Sequence, residues 1–171
     1  MLTIEKKSLN VGRFVDTQHV NTVIRNYKQE RWVNNSKHIG KEDSMSVWYS
    51  IEEMEEFLAK AKDSGANGVR MYFAAYSEDY ARTPEYAGRQ TIVMVASKGK
   101  LTPTGIVNKD VYINTEEGST ILAYNAGSMC PPFNCPGGKG GSPGGGGIAG
   151  DDWGGIGTTL VDCGDNGMLV V

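Results

Sequence analysis

The chain has 171 residues and 23 glycines, about 13% where an average protein carries about 7%. Fifteen of those glycines lie in residues 127–171, and the net charge of −3 arises there too, from Lys139 against Asp151, Asp152, Asp162 and Asp165. This length and composition fit one globular domain with a glycine-rich appendage. They argue against a membrane span, a basic nucleic-acid binder and a disulfide framework.

The first fifteen residues read as a short strand or arm. Asp16 or Thr17 is placed to cap a helix, because a side-chain oxygen there accepts a free first-turn N–H. Val20, Val23, Ile24 and Tyr27 follow at helical spacing, which predicts a helix over about 17–31. Residues 34–44 are polar and without period, and read as a loop.

A second helix has agreeing local signals. Ser50 and Glu53 form an S-x-x-E capping box. Met54, Phe57, Leu58 and Ala61 make its apolar stripe. Glu52, Glu53, Glu55 and Glu56 sit early and Lys60 and Lys62 late, as the helix dipole favours. Gly65 is placed to end it by taking a positive φ.

Residues 69–76 alternate as a strand: Val69, Met71, Phe73 and Ala75 on one face, Arg70, Tyr72, Ala74 and Tyr76 on the other. Residues 77–88 are too long for a tight turn. Residues 91–96 are nearly all apolar, as in a central strand covered on both faces. Residues 97–110 read as a loop. Residues 111–114 and 120–124 read as two short strands, and the apolar residues 168–171 as a tail able to pair with a sheet.

The expected class is α+β. Two N-terminal helices pack on one face of a mainly antiparallel sheet. A compact domain over 1–125 is joined by an ordered, irregular glycine-rich segment over 126–171, anchored by Trp153, that packs on the same domain.

Candidate chemistry is sparse. Arg70, Tyr72 and Tyr76 share a strand face, and Arg89 follows the long connection. A guanidinium flanked by phenols can hold an anionic or sugar-like ligand. The same residues also suit a half-exposed sheet face without any ligand. Cys130 and Cys135, with four residues between them including two prolines, are the thiol candidates. They suit a local disulfide, a redox pair or buried thiols, and C-x4-C with so few other ligands argues against zinc.

The glycine run fails the Walker pattern, since Lys139 is followed by Gly140 and Phe133 stands where the first glycine belongs. The G-x-S-x-G match around Ser142 lacks the helix that a nucleophile elbow needs, because Pro143 and four glycines follow it. The acidic residues Asp151, Asp152, Asp162 and Asp165 meet no calcium-loop spacing. His19 and His38 read as surface groups, and the tryptophans as core or loop anchors. No metal and no cofactor are expected.

The segments Arg25-Asn26-Tyr27, Val47-Trp48-Tyr49, Gly68-Val69-Arg70-Met71-Tyr72-Phe73 and Cys130-Pro131-Pro132 with Cys135 resemble a group of uncharacterised bacterial proteins over residues 15–135. The resemblance implies a bacterial intracellular protein and supplies no catalytic residues.

The leading expectation is a non-enzymatic binding or interaction protein, using the Tyr/Arg sheet face and a glycine-rich surface. Its partner would be a protein or a small polar ligand, with no nucleic acid and no membrane. No apolar leader is visible in MLTIEKKSLN, so the expected compartment is the cytoplasm. The alternatives are a small-molecule enzyme or thiol redox protein acting through Cys130 or Cys135, and a homo-oligomer assembled by its apolar terminus.

Overall fold

A computed structural model describes residues 10–133 and the backbone of two short strands at 160–162 and 168–170. The glycine-rich segment with Trp153, and Cys135 with it, lies outside the described residues. The class is α+β, as expected. The chain forms two units: Met1–Phe14, Ser50–Tyr72 and Ile92–Asn125 in one, Val15–Tyr49, Phe73–Thr91 and Ala126–Val171 in the other. The two boundaries at 72/73 and 91/92 fall inside strands.

In the first unit, helix α3 (Ile51–Asp63) starts as the sequence predicts; the two preceding helical segments belong to the other unit. Ser50 Oγ accepts from Glu53 N at 3.1 Å, and Glu53 Oε2 accepts from Ser50 N at 2.9 Å. Gly65 follows the helix with φ +80°, open to glycine without steric cost. Phe57 and Ala61 are buried, and Phe57 packs against the Tyr124 ring at 5.8 Å between centroids.

The sheet of this unit runs β2 (Gly68–Ala75), β3 (Gln90–Thr102), β4 (Gly105–Asp110), with β7 (Ala123–Tyr124) also pairing with β3. Strand β3 is central, and Met94, Val95 and Ala96 are buried. Tyr124 stands directly opposite Met94, so it shares that face and carries α3 onto it. The partner of β3 changes at Ala96. There Ala96 N bonds Leu122 O, Leu122 N bonds Val111 O and Val111 N bonds Ala96 O, each at 2.9 Å. From this junction the hairpin β5 (Tyr112–Thr115) to β6 (Gly118–Ile121) branches off.

Residues 97–110 are thus not a loop but most of an antiparallel ribbon, with Ser97 opposite Asp110 and Thr102 opposite Gly105. Its turn is Thr102-Pro103-Thr104-Gly105, and the next hairpin turns through Thr115-Glu116-Glu117-Gly118. In both, the threonine hydroxyl donates to the glycine carbonyl, at 2.7 and 2.9 Å. The ribbon escapes an apolar-pattern reading because lysines, asparagine, threonines and glycines interrupt its few apolar residues.

The second unit is led by a continuous helical stretch: α1 (Thr17–Tyr27), a π-helical turn (Lys28–Trp32) and α2 (Val33–Ile39). Asp16 Oδ1 caps it, accepting from His19 N at 2.8 Å. The predicted end near 31 is therefore corrected to 39, and the predicted loop begins only after that. The wider π turn shifts the phase of the inward face. Beyond it, Asn35 and Ser36 take inward positions, so the period continues in polar side chains that hydropathy does not register.

Strand β1 (Ser46–Trp48) pairs antiparallel with β8 (Ser128–Cys130), Val47 opposite Met129. Gly127 lets the chain pass close to Tyr49: a Cβ there would stand 2.6 Å from the Tyr49 ring. Trp48, expected to anchor, is 63% exposed, while Trp32 is the anchor, donating from Nε1 to Asp43 O at 2.6 Å. The apolar tail does pair: β10 (Met168–Val170) runs antiparallel to β9 (Leu160–Asp162).

One consequence of the α3 cap is a pH dependence. Tyr124 OH donates to Glu53 Oε1 at 3.0 Å. Hydrogen bonds from the Ser50 backbone first, and then from Tyr124, hold the Glu53 carboxyl below its usual value. A depressed folded value stabilises above the unfolded carboxylate pKa of about 4.3, and that stability is lost as pH falls through the folded value. Glu53→Gln should flatten the acid limb of the urea midpoint against pH. Superimposable limbs would refute this.

Candidate functional site

Arg70 and Tyr72 meet on one sheet face because β2 alternates and its neighbour is small there. Arg70 reaches across β3 to β4, about 9.6 Å at two strand spacings. Ser97 is the residue of β3 opposite Asp110, and Ser97 Oγ lies 3.3 Å from where a Gly68 Cβ would stand, so these groups share a face. Arg70 Nη1 bonds Asp110 Oδ1 at 3.0 Å and Tyr72 OH at 2.7 Å. Tyr72 OH donates to Asp110 Oδ2 at 2.9 Å, and Arg70 Nη2 bonds Asn108 O at 3.2 Å.

This is a closed constellation. Both Asp110 oxygens are engaged, and the guanidinium lies 5.6 Å from the Tyr72 ring centre. The hydrogen bond to Tyr72 and then the charge of Asp110 hold the Arg70 guanidinium above its usual value, against desolvation. An anion entering here must displace Asp110. The sequence names Arg70 and Tyr72 but not Asp110, forty residues on, because nothing local marks it.

Tyr76 and Arg89 belong to the second unit. Tyr76 lies in an aromatic row, 4.4 Å from Tyr80 and 5.7 Å from Tyr86 between ring centres, and Phe133 continues it 5.9 Å beyond Tyr86. Burial above all raises the Tyr76 hydroxyl pKa. Tyr86 is buried, and its hydroxyl donates to Gly127 O at 3.2 Å and accepts from Met129 N at 3.4 Å. The row holds the entry to β8 in place.

Arg89 is buried, and its Nε donates to Glu85 O at 2.8 Å while Nη1 has no hydrogen-bond partner among the described residues. Burial lowers its pKa, opposed by the charges of Asp43 and Glu42. Asp43, 3% exposed, is the hub of this region. Its Oδ1 accepts from Ser44 N at 2.8 Å and Gln90 N at 2.6 Å, and its Oδ2 from Asn35 Nδ2 at 3.1 Å. Ser44 Oγ donates to Gln90 O, and Ser36 Oγ accepts from Asp43 N at 2.9 Å. Burial and then the charge of Asp43 raise the pKa of the Tyr27 hydroxyl, opposed by a hydrogen bond with Gln90. None of Asp43, Asn35 and Gln90 is marked by a sequence motif.

Cys130 is disulfide-bonded. With three cysteines in the chain, its partner is Cys135 or Cys163, both outside the described residues. The bonded sulfur is not a free nucleophile. His19 and His38 are exposed, as expected. No helix among the described residues is long and apolar enough to cross a membrane.

The fold and its side-chain constellations define an α+β protein with an internally satisfied Arg–Tyr–Asp cluster and a strand, β4, that pairs on one side alone among the described residues. No protein family, curated protein or solved structure matches the chain.

Proposed function

We propose that this chain is a non-enzymatic interaction protein, and that the β3–β4 ribbon is its contact surface. The observation that carries the reading is the open edge of β4. Among the described residues β4 pairs only with β3, so its outer N–H and C=O groups have no strand partner among them. Leu101, Ile106 and Val107 stand beside that edge with 45%, 37% and 48% of their surface exposed. An unpaired edge flanked by apolar side chains is a template for an added strand.

The ligand reading of Arg70 and Tyr72 is weaker, because Asp110 already fills the place of the anion. The thiol reading is weaker because Cys130 is bonded. That same bond favours an oxidising compartment over the cytoplasm, where thiols stay reduced.

A photo-crosslinking residue at Val107, expressed in the native host, tests the reading. Adducts to a distinct protein are expected at Val107 and not at Glu116, on the tip of the β5–β6 hairpin. Equal adducts at both positions, or none at Val107, would overturn it. Thiol titration of the same preparation bears on the compartment: one free thiol per chain supports the oxidised form, and three refute it.

A further inference from the structure

The β3–β4 ribbon has two unlike faces. The register places Lys98 opposite Lys109 and Lys100 opposite Val107 on one face, and Leu101 opposite Ile106 on the other. Like charges directly opposite one another disfavour a ribbon. Yet Lys98, Lys100 and Lys109 are all exposed, and none has an acidic partner among the described residues. Lys98 Nζ comes within 3.8 Å of where a Gly65 Cβ would stand, which puts it beside the end of α3. The last turn of α3 carries Lys60 and Lys62 as well. Asp63 also ends that helix, so the excess of positive charge rests on Lys98, Lys100 and Lys109, beside the edge of β4.

We infer that the edge of β4 takes a strand from an acidic protein partner, in which acidic and apolar residues alternate. This rests on the interaction reading above and names the chemistry of the partner. A strand paired with β4 places successive side chains on opposite faces. On one face its acidic residues then fall beside Val107 and Lys109, with Lys98 and Lys100 one strand further in and long enough to reach. On the other its apolar residues fall beside Ile106 and Asn108, with Leu101 one strand further in, while Asp110 is already held by Arg70 and Tyr72. Backbone pairing supplies affinity, and the two faces supply register. A nucleic acid satisfies the lysines but has neither a strand backbone for the edge nor alternate apolar groups for the second face.

The test uses the full-length protein and synthetic octapeptides. One alternates Glu and Val, a second has the same composition with all Glu before all Val, and a third is the alternating peptide N-methylated at every second backbone nitrogen. The alternating peptide should bind, more weakly as salt rises. The block and N-methylated peptides should bind about tenfold more weakly or not at all. Lys98→Glu/Lys109→Glu, with an unchanged circular dichroism spectrum, should cost the alternating peptide about tenfold in affinity.

Equal binding of the block peptide or of a single-stranded oligonucleotide would show a plain polyanion site and overturn the inference. So would absence of binding by any peptide while crosslinks at Val107 persist, an outcome that leaves the interaction reading standing. If the double variant dimerises and the parent binds no peptide, the lysines only guard the edge against self-pairing, and the inference falls.

Discussion

Replacing Asp43 with Ala should destabilise the protein by about 3–5 kcal/mol, the scale for leaving buried polar and charged groups without their partner. Asp43 is almost wholly buried and receives three hydrogen bonds, two from backbone N–H groups. Alanine removes every acceptor at once. The N–H groups of Ser44 and Gln90 lose their acceptor, and the amide of Asn35 keeps only a long bond to Gln90 Oε1 at 3.5 Å. Arg89, also buried, loses the nearby negative charge that opposes its desolvation.

Asp43→Asn separates the two effects. It keeps one carbonyl oxygen for the two backbone donors and removes the charge, and it should cost about 1–2 kcal/mol. Urea unfolding measures both variants. A domain of ordinary stability has about 5–15 kcal/mol in total, so the alanine variant should lose a large share of its midpoint. An alanine variant within 1 kcal/mol of the parent, a margin below the cost of even a few orphaned donors, would mean that the network is solvated and not structural.

Met129→Ala should cost about 2–5 kcal/mol through lost burial and the cavity left behind. Met129 is fully buried in β8, opposite Val47. Its surroundings have little freedom to collapse into the space. The Tyr86 hydroxyl bonds both Met129 N and Gly127 O, and the Gly127 backbone already lies against the Tyr49 ring. Cys130, the next residue, is tied by its disulfide. Met129→Leu conserves most of the volume and should cost under about 1.5 kcal/mol. The same urea titration distinguishes them, and equal losses for Ala and Leu would show that packing at this position is not specific.

What could be read in advance follows from how local each signal is. The start of α3 needs only Ser50 and Glu53, three residues apart, and its end needs only Gly65. Strand β2 is legible because Arg70 and Tyr72 alternate with Val69 and Met71. The central part of β3 is legible because a run of apolar residues has to be covered on both faces. In each case the physics acts over a few bonds.

The misread segments share a different cause. Residues 34–39 stay helical because Asn35 and Ser36 face inward to Asp43, a contact whose partner lies several residues on, past the helix end. Residues 97–110 pair as a ribbon although one of its faces is lined by Lys98, Lys100 and Lys109. Polar side chains in these places look like solvent-facing loop, because pairing and hydrogen bonding to distant groups are invisible to hydropathy.

The same division holds for the candidate sites. Sequence alone determined the α+β class, the caps and the faces of the principal strand, and it singled out Arg70, Tyr72 and Cys130. Only the tertiary structure decided what these groups face. It set Asp110 across β3 from Arg70, bonded Cys130, gathered Tyr76 with Tyr80 and Tyr86, and paired β4 with β3 alone among the described residues. Side-chain identity sets the chemistry a residue carries. Its partners are set by strand register and chain crossing, which join residues tens of positions apart.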